Sequence, residues 1–328
     1  MKAIVFTKYG PPEVLQLRDV EKPVPKENEV LIKIHAAAVN TGDCEIRRFD
    51  INILFWLFLR IAMGILKPRG TKILGQEVSG VIEAIGKDVT QFTVGDSVMA
   101  QTGFTFGGYA EYVCLSTKNA MVIKPQNISW EQASAVPVGG ANALHFLRKA
   151  NIQAGQKVLI YGSTGSIGTL AVQLAKYYGA EVSAICSTSK IELVKSLGAD
   201  HIIDYKKEDF TKNGELYDVI FDTIGGSPFT ECVSSLKDNG VFLIANPKVF
   251  EMVRAIWISK TSSKKVMFEF ADSKTEDLLF LKKLIEDEKL NVVVDEKYFT
   301  LEQTIEAHYY VEKRHKTGNV VLRIVSDL

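Results

Sequence analysis

A run of strand-forming residues, KVLIY (157–161), leads straight into Gly162, Ser163, Gly165 and Gly168, and then into TLAVQLAK. This spacing can bind a dinucleotide pyrophosphate. Such a site needs a tight turn, a point where backbone touches phosphate, and close strand–helix packing. Ser163, Gly165 and Gly168 take those places in S-x-G-x-x-G form, with Gly162 freeing the turn. A helix beginning near Ser166 offers its unpaired N–H groups and the positive end of its dipole to an anion. The expected cradle is therefore Ser163, Thr164, Gly165, Ser166, Ile167 and Gly168. A glycine pattern alone says little; between a buried strand and an amphipathic helix it becomes specific.

The end of the following strand bears on which nicotinamide cofactor is used. NAD-binding folds place an acid there to hold the ribose hydroxyls. Here the segment AICSTSK supplies Ser187, Thr188 and Lys190, with no acid before Glu192. Hydroxyls beside an ammonium suit a 2′-phosphate, which a carboxylate would repel. NADPH is the expected cofactor; a solvated Lys190 at a helix start is the alternative.

Other chemistry is thinly represented. The four cysteines, Cys44, Cys114, Cys186 and Cys232, form no C-x-x-C pair, so a reducing compartment, the cytoplasm, is expected. No two of the five histidines share metal-ligand spacing on one helical face, and His145 alone is kept as a site candidate. Tyr309 and Lys313 form Y-x-x-x-K but lack an upstream serine partner and lie beyond the strand–helix segment. Lys plus Arg and Asp plus Glu both number 39, so the formal charge is zero. That balance argues against nucleic acid as a partner.

The elements that must position these residues follow from pattern. A chain of 328 residues is long enough for two domains. Residues 1–122 are rich in short β-type runs broken by Gly, Pro and Asp, which suggests an antiparallel, barrel-like domain. Ser129 and Gln132 then mark a helix start, which Pro137 should end or kink. From 157 the rhythm becomes strand–helix alternation, with strands at 157–161, 181–186, 201–205, 217–222, 240–245 and 265–270. Their apolar continuity suits a doubly wound parallel sheet in an α/β domain, 123–271. The remainder, 272–328, reads as helix, strand (VVVD), helix and strand, returning to complete the first domain. The chain opens directly on MKAIVF, so no cleaved signal is expected. The apolar run 51–66 contains Arg60 and is short for a membrane span; it reads as a part-buried helix, or as a mobile lid or interfacial segment that could meet a membrane surface.

Taken together, AAAVNTGDCEIRR (36–48), GQEVSGVIEAIG, VGDSV, GGYAEYV, AVPVGGANAL, YGSTGSIG, SLGADHIIDY and FDTIGG resemble the medium-chain dehydrogenase/reductase superfamily, in its zinc-independent quinone-oxidoreductase-like branch. The resemblance covers nearly the whole chain. It implies a GroES-like catalytic domain built from both chain ends, an inserted Rossmann domain, and an active site in the cleft between them. It also implies that Lys190 and Tyr205 meet the 2′-phosphate end of NADPH, that Arg314 lies on the cofactor side, and that Asn142 stands where many relatives contact cofactor with Thr. Asn40 and Asp43 match a V-N-x-x-D motif beside the nicotinamide. Zinc-dependent members place Cys at Asn40, His at Gln76 and Cys near Gly139, so no metal is expected here. Glu45, where relatives carry an aromatic residue, and Gly318-Asn319, in place of Gly-Lys, depart from the pattern.

Without a Lewis acid, an ordinary ketone loses a large stabilising contribution, whereas quinones and enones delocalise the charge that hydride brings. The expected activity is hydride transfer to a quinone, with reduction of an enone or 2-alkenal double bond, or a non-catalytic NADPH-binding module, as alternatives. Asn40 is expected to donate from its amide near the substrate oxygen. Asp43 is either an orienting or proton-relay group or a helix N-cap residue. In the turn at 73–86, Glu77 and Gly80 are expected to hold its shape and Gln76 to offer an amide where a metal would sit. A homodimer through the sixth strand is expected, as in relatives that dimerise.

Overall fold

The computed structural model describes residues 1–50, 64, 67–69, 72–269, 271 and 274–324. The apolar run at 51–66 therefore lies outside the described residues, apart from Gly64.

Alternating apolar residues in the first third produce eight strands: β1 (Lys2–Phe6), β2 (Leu15–Asp19), β3 (Glu29–Val39), β4 (Lys72–Ile73), β5 (Glu77–Ile85), β6 (Ser97–Gln101), β7 (Tyr112–Ser116) and β8 (Met121–Ile123). Helix α1 (Thr41–Arg48) interrupts them, and α2 (Trp130–Ser134) follows. Ser129 caps α2 in a capping box with Gln132, as the sequence spacing requires. Pro137 does not kink that helix. It opens the next one, α3 (Pro137–Lys149), at a position where a missing N–H and a fixed φ suit proline.

Strand–helix alternation then gives β9 (Lys157–Tyr161), α4 (Ser166–Tyr177), β10 (Glu181–Cys186), α5 (Ile191–Ser196), β11 (His201–Asp204), β12 (Tyr217–Asp222), α6 (Phe229–Ser234), β13 (Leu236–Ile244), α7 (Val249–Thr261) and β14 (Lys265–Met267). The chain ends with α8 (Thr275–Glu286), β15 (Phe299–Thr300), α9 (Thr304–Glu312) and β16 (Val320–Arg323). The VVVD segment is not a strand. Val294 makes only an isolated bridge to Asn319, while Asp295 turns its carboxylate to the Lys297 and Thr317 N–H groups.

Contacts divide the chain into two units. The first comprises Met1–Val138, Ser273–Glu286 and Val292–Leu328. It reaches past the boundary expected at 122 because α2 packs on β3 and β5. Its strands form a three-stranded sheet, β2-β1-β4, and a seven-stranded sheet, β15-β16-β3-β5-β6-β8, with β7 also on β3. This is a GroES-like domain. The second unit, Gly139–Asp272 with Asp287–Asn291, holds a six-stranded sheet in the order β11-β10-β9-β12-β13-β14. All its pairings are parallel, and the order is that of a Rossmann sheet with its switch point between β9 and β12. No helix among the described residues is long and apolar enough to cross a membrane.

A buried polar knot fastens α1 in the first unit. Arg47 has no exposed surface; its Nε donates to the Gly10 carbonyl at 3.1 Å and its guanidinium pairs with Glu312 of α9. His308, also fully buried, turns Nδ1 to Arg47 at 3.1 Å and to the Cys44 thiol at 3.3 Å. Two donors on Nδ1 require a neutral ring with its proton on Nε2. Burial, then Arg47 and Arg48, push His308 down to about 3, which keeps that tautomer at all working pH. Cys44 is held as a thiol by burial, so the Cys–His contact is structural. Breaking a buried ion pair leaves the partner charge stranded, whereas exposed pairs contribute little. Arg47→Ala should therefore lower the unfolding free energy by about 3 kcal/mol in denaturant titrations. Arg48→Ala, which removes the exposed partner of the same Glu312, should cost under about 1 kcal/mol. Equal losses for the two would contradict this assignment.

Candidate active site

β3 ends at Val39, and Asn40 leaves it in extended conformation to cap α1. Asn40 Oδ1 accepts the Asp43 N–H at 2.9 Å, and Asp43 Oδ2 accepts the Asn40 N–H at 3.4 Å. Gln76 Nε2 adds a second donor to Asn40 Oδ1 at 3.5 Å. With its oxygen engaged from two sides the amide has one orientation. Its Nδ2 makes no hydrogen bond of good distance and angle, but it lies beside the Glu77 carboxyl and helps to lower that group's pKa.

Asp43 lies beneath, with 0% exposure. Its Oδ1 accepts the Gly75 N–H at 3.2 Å and its Oδ2 the Tyr109 hydroxyl at 2.9 Å. Gly75 sits at φ +100, and a Cβ there would stand 2.7 Å from the Gly108 Cα, so only glycine brings this N–H to the carboxylate. Burial pushes the Asp43 carboxyl up to about 6, against the opposing pull of Tyr109 and the Asn40 and Gly75 N–H groups. Of the two roles expected for Asp43, the geometry is that of the capping residue. It is enclosed by protein and touches Asn40, Gly75 and Tyr109.

Glu77 is the residue whose part the sequence understated. It also has 0% exposure; Oε2 accepts the Val138 N–H at 2.8 Å, near the start of α3, and Oε1 has no partner. Burial raises its carboxyl to about 8, so Glu77 is a neutral acid at neutral pH. Lys316 is pushed down to about 8, again by burial, with Glu77, Asp295 and Cys44 opposing, and its Nζ donates to the Gly318 carbonyl at 2.6 Å. Nothing in the spacing of Glu77 or Lys316 signals this. Glu77 becomes buried, and Lys316 half-buried, only when β5 and the 313–319 turn are folded into one unit.

In the second unit the glycine-rich turn has the expected form. Gly165 is the N-cap of α4, which has no side-chain cap at its start. The first N–H groups, at Ser166, Ile167 and Gly168, are those a helix cannot satisfy internally. A Cβ on Gly168 would meet the Gly162 carbonyl at 2.1 Å, so the helix presses on the turn as closely as backbone allows. The Ser163 hydroxyl donates to the Ile185 carbonyl at 2.7 Å and ties the turn to β10. Thr164 is half-buried within the turn, and Asn142 is half-buried on α3.

The ends of β10 and β11 lie side by side, Cys186 opposite Asp204. This collects Ser187, Lys190 and Tyr205, with Lys206 and Lys207 close in sequence. It also brings an acid. Asp204 Oδ2 accepts the Thr188 hydroxyl at 2.6 Å, and its carboxylate meets the Lys206 N–H at 3.1 Å and Lys207 Nζ at 3.7 Å. The absence of an acid expected at this point thus holds for β10 and not for its neighbour. A cavity of about 450 Å³ has apolar walls including Tyr161, Ile185 and Phe210, and a rim that includes Lys206 and Lys207.

Asp222, at the end of β12, was not singled out by sequence. Its two oxygens accept four N–H groups, those of Ile224, Gly225, Gly226 and Ser227, at 2.9–3.1 Å. That loop is fastened to the glycine turn by the Thr223 hydroxyl, which bonds the Tyr161 and Gly162 carbonyls at 3.0 and 3.1 Å. Arg314 belongs to the first unit, on the turn after α9 with φ +56. His145 faces Glu269 at 3.4 Å within the second unit. Tyr309 donates to Glu13 and has no catalytic geometry with Lys313.

A GroES-like domain and a dinucleotide-binding parallel sheet in one chain define a pyridine-nucleotide-dependent oxidoreductase. Residues 26–126 match the family model of the alcohol dehydrogenase GroES-like domain, and residues 197–322 that of a zinc-binding dehydrogenase. The chloroplastic NADPH-dependent alkenal/one oxidoreductase of Arabidopsis thaliana is 34% identical over 98% of this chain and 79% of its own. The quinone oxidoreductase of Sus scrofa is 30% identical over 98% of this chain and 97% of its own. The solved quinone oxidoreductase from Coxiella burnetii matches with a TM-score of 0.88 and 32% identity over 99% of each chain. The chain belongs to the medium-chain dehydrogenase/reductase superfamily, in its quinone-oxidoreductase-like branch.

The buried acid gives the fold a pH signature. A carboxyl raised from 4.5 to about 8 is protonated on folding. The folded state therefore binds more protons than the unfolded chain across that window. Its contribution is fully present below pH 4.5 and is lost as pH rises towards 8, with a limiting slope of about 1.4 kcal/mol per pH unit. Thermal melts of the natural chain should fall in midpoint from pH 5 to pH 8, and those of Glu77→Gln should fall less. Parallel curves for the two proteins would remove Glu77 from this role.

Proposed function

We propose that the chain is a zinc-independent, NADPH-dependent reductase that passes hydride to a quinone. One observation carries the zinc-independent part. At the two positions where zinc-dependent relatives keep a thiolate and an imidazole, Asn40 and Gln76 bear neutral amides bonded to each other. Amides are not the ligands zinc selects. The third position, Gly139, has no side chain, and Glu77 already gives one oxygen to the Val138 N–H. Among the described residues no three His, Cys, Asp or Glu side chains gather as a cation site.

The second unit fits a dinucleotide phosphate. The start of α4 lacks a side-chain cap, and the close contact of Gly168 with Gly162 shapes the turn beneath it. Ser163 to Gly168 would hold the pyrophosphate, with Ser187, Lys190 and Tyr205 at the adenosine end. Asp204 is met by Thr188, Lys206 and Lys207. Ser187 and Lys190 after β10, with no acid before Glu192, support NADPH over NADH. When bound, NADPH supplies the hydride.

The chain's own part is to orient and stabilise. Asn40 Nδ2, which lies beside the Glu77 carboxyl, is the group we assign to the acceptor oxygen, with Asp43 and Gln76 as positioning residues. One neutral donor suits an acceptor whose developing charge is delocalised, which a quinone provides. An α,β-unsaturated aldehyde or ketone meets the same condition, and the Arabidopsis alkenal/one oxidoreductase favours it as the second reading. A reducing compartment such as the cytoplasm fits the four cysteine thiols, which form no disulfide. Pairing of two copies through β14, the last strand of its sheet, is the proposed assembly.

NADPH oxidation should proceed on quinone and enone panels, unchanged by chelator; loss on chelation would sink the zinc-free assignment. Asn40→Ser keeps a helix cap but removes the amide, and should lower kcat by about a hundredfold. Lys190→Gln should raise KM for NADPH by about tenfold and leave KM for NADH unchanged. A uniform effect on both cofactors would show that Lys190 does not read the 2′-phosphate.

A further inference from the structure

Helix α7 is apolar on two opposite faces. Ala255 and Ile258 are buried in the core of the second unit, and the helix is pinned to β14 by the Val266 N–H, which donates to the Ser259 hydroxyl at 2.9 Å. The outward side carries Phe250, Val253, Ile256 and Trp257, which are 71%, 62%, 52% and 67% exposed. Positions 250, 253 and 257 follow the spacing of one helical stripe, with 256 beside it. A helix that is apolar all round belongs in an interior, and a contiguous exposed apolar patch marks a docking surface.

Charge identifies what docks there. Residues 248–265 contain Lys248, Arg254, Lys260, Lys264 and Lys265 against Glu251 alone, a net charge of +4 in a chain whose net charge is zero. Glu251 is folded back to accept the Lys248 N–H at 2.7 Å. Lys248, Lys260 and Lys265 are exposed around the stripe, while Arg254 lies over Phe229 and Lys264 bonds the Val233 carbonyl. A second copy docked face to face would bring like charges together. An anionic lipid surface supplies the opposite sign, and exposed Trp and Phe above a basic rim is the composition of a helix lying in a membrane interface.

We propose that the outward face of α7 docks on an anionic bilayer, with Phe250, Val253 and Trp257 entering the interface and Lys248, Lys260 and Lys265 meeting lipid headgroups. The proposal is independent of which acceptor the enzyme reduces.

The test is co-sedimentation of the full chain with vesicles of phosphatidylcholine and phosphatidylserine, against vesicles of phosphatidylcholine alone. The natural chain should bind the anionic vesicles, less so as salt is raised, with a blue shift of tryptophan emission that Trp257→Phe removes. Phe250→Ser with Trp257→Ser should abolish binding, with thermal melting as the check on folding. Lys260→Gln and Lys265→Gln should each weaken binding by about fivefold. No binding by the natural chain, equal binding to neutral vesicles, or undiminished binding by these variants would overturn the proposal. Self-association in sedimentation velocity that the serine pair abolishes, without vesicle binding, would assign the face to a second copy and overturn it too.

Discussion

The first unit turns on one carboxylate removed from water. Asp43 gathers the N–H of Asn40, the N–H of Gly75 and the hydroxyl of Tyr109. Those donors come from three separate stretches of chain: the start of α1, the turn before β5, and the loop before β7. Each is an orphan without the carboxylate, and the carboxylate is unsupportable without them. Satisfying all of them at once fixes where β3 stops, and so where the Asn40 amide is held.

The surroundings of this carboxylate are tuned towards neutrality. Two acids and one amine lie within a small buried region, and burial draws each towards its uncharged form. One turn further along the same buried face of α1, Arg47 pairs with Glu312 and donates to the Gly10 carbonyl. Helix α1 therefore carries a buried carboxyl and a paired guanidinium side by side. A hydrogen-bond donor exerts more influence in such a buried region than it would in water.

The Rossmann half was legible because its signals are local. KVLIY, the glycine turn and TLAVQLAK are contiguous, and strand, turn and helix each announce themselves within about a dozen residues. The parallel sheet and the helix cap at Ser129 followed in the same way. What was hidden depends on register or burial. Asp204 sits on a neighbouring strand and reaches Thr188 only through the pairing of Cys186 with it. Glu77 looks like any polar residue of a turn until β5 is covered. VVVD has strand composition, yet its acid is drawn off to the backbone of the 295–317 region. Helix α2 ends at Ser134, ahead of Pro137 as expected; what was not read is that the same proline opens α3, since one residue type both stops helices and starts them. Asp43 left cap and relay open, since both use a carboxylate three residues after Asn.

The last strand has a bearing on how the molecule comes into being. β16 pairs antiparallel with β3, Val320 against Val39, so the residue before Asn40 is held by one from the far end of the chain. Asn319 reinforces the seam by donating to the Ala135 carbonyl at 3.2 Å. During synthesis the nucleotide-binding unit can complete its sheet while the ribosome is still extending the chain, because all its strands are already out. The GroES-like unit has no such option. Its early strands must wait, with Ala36–Val39 of β3 lacking their partner, until β16 has left the exit tunnel. Long-range closure of this kind makes the older half of the polypeptide the later half to mature.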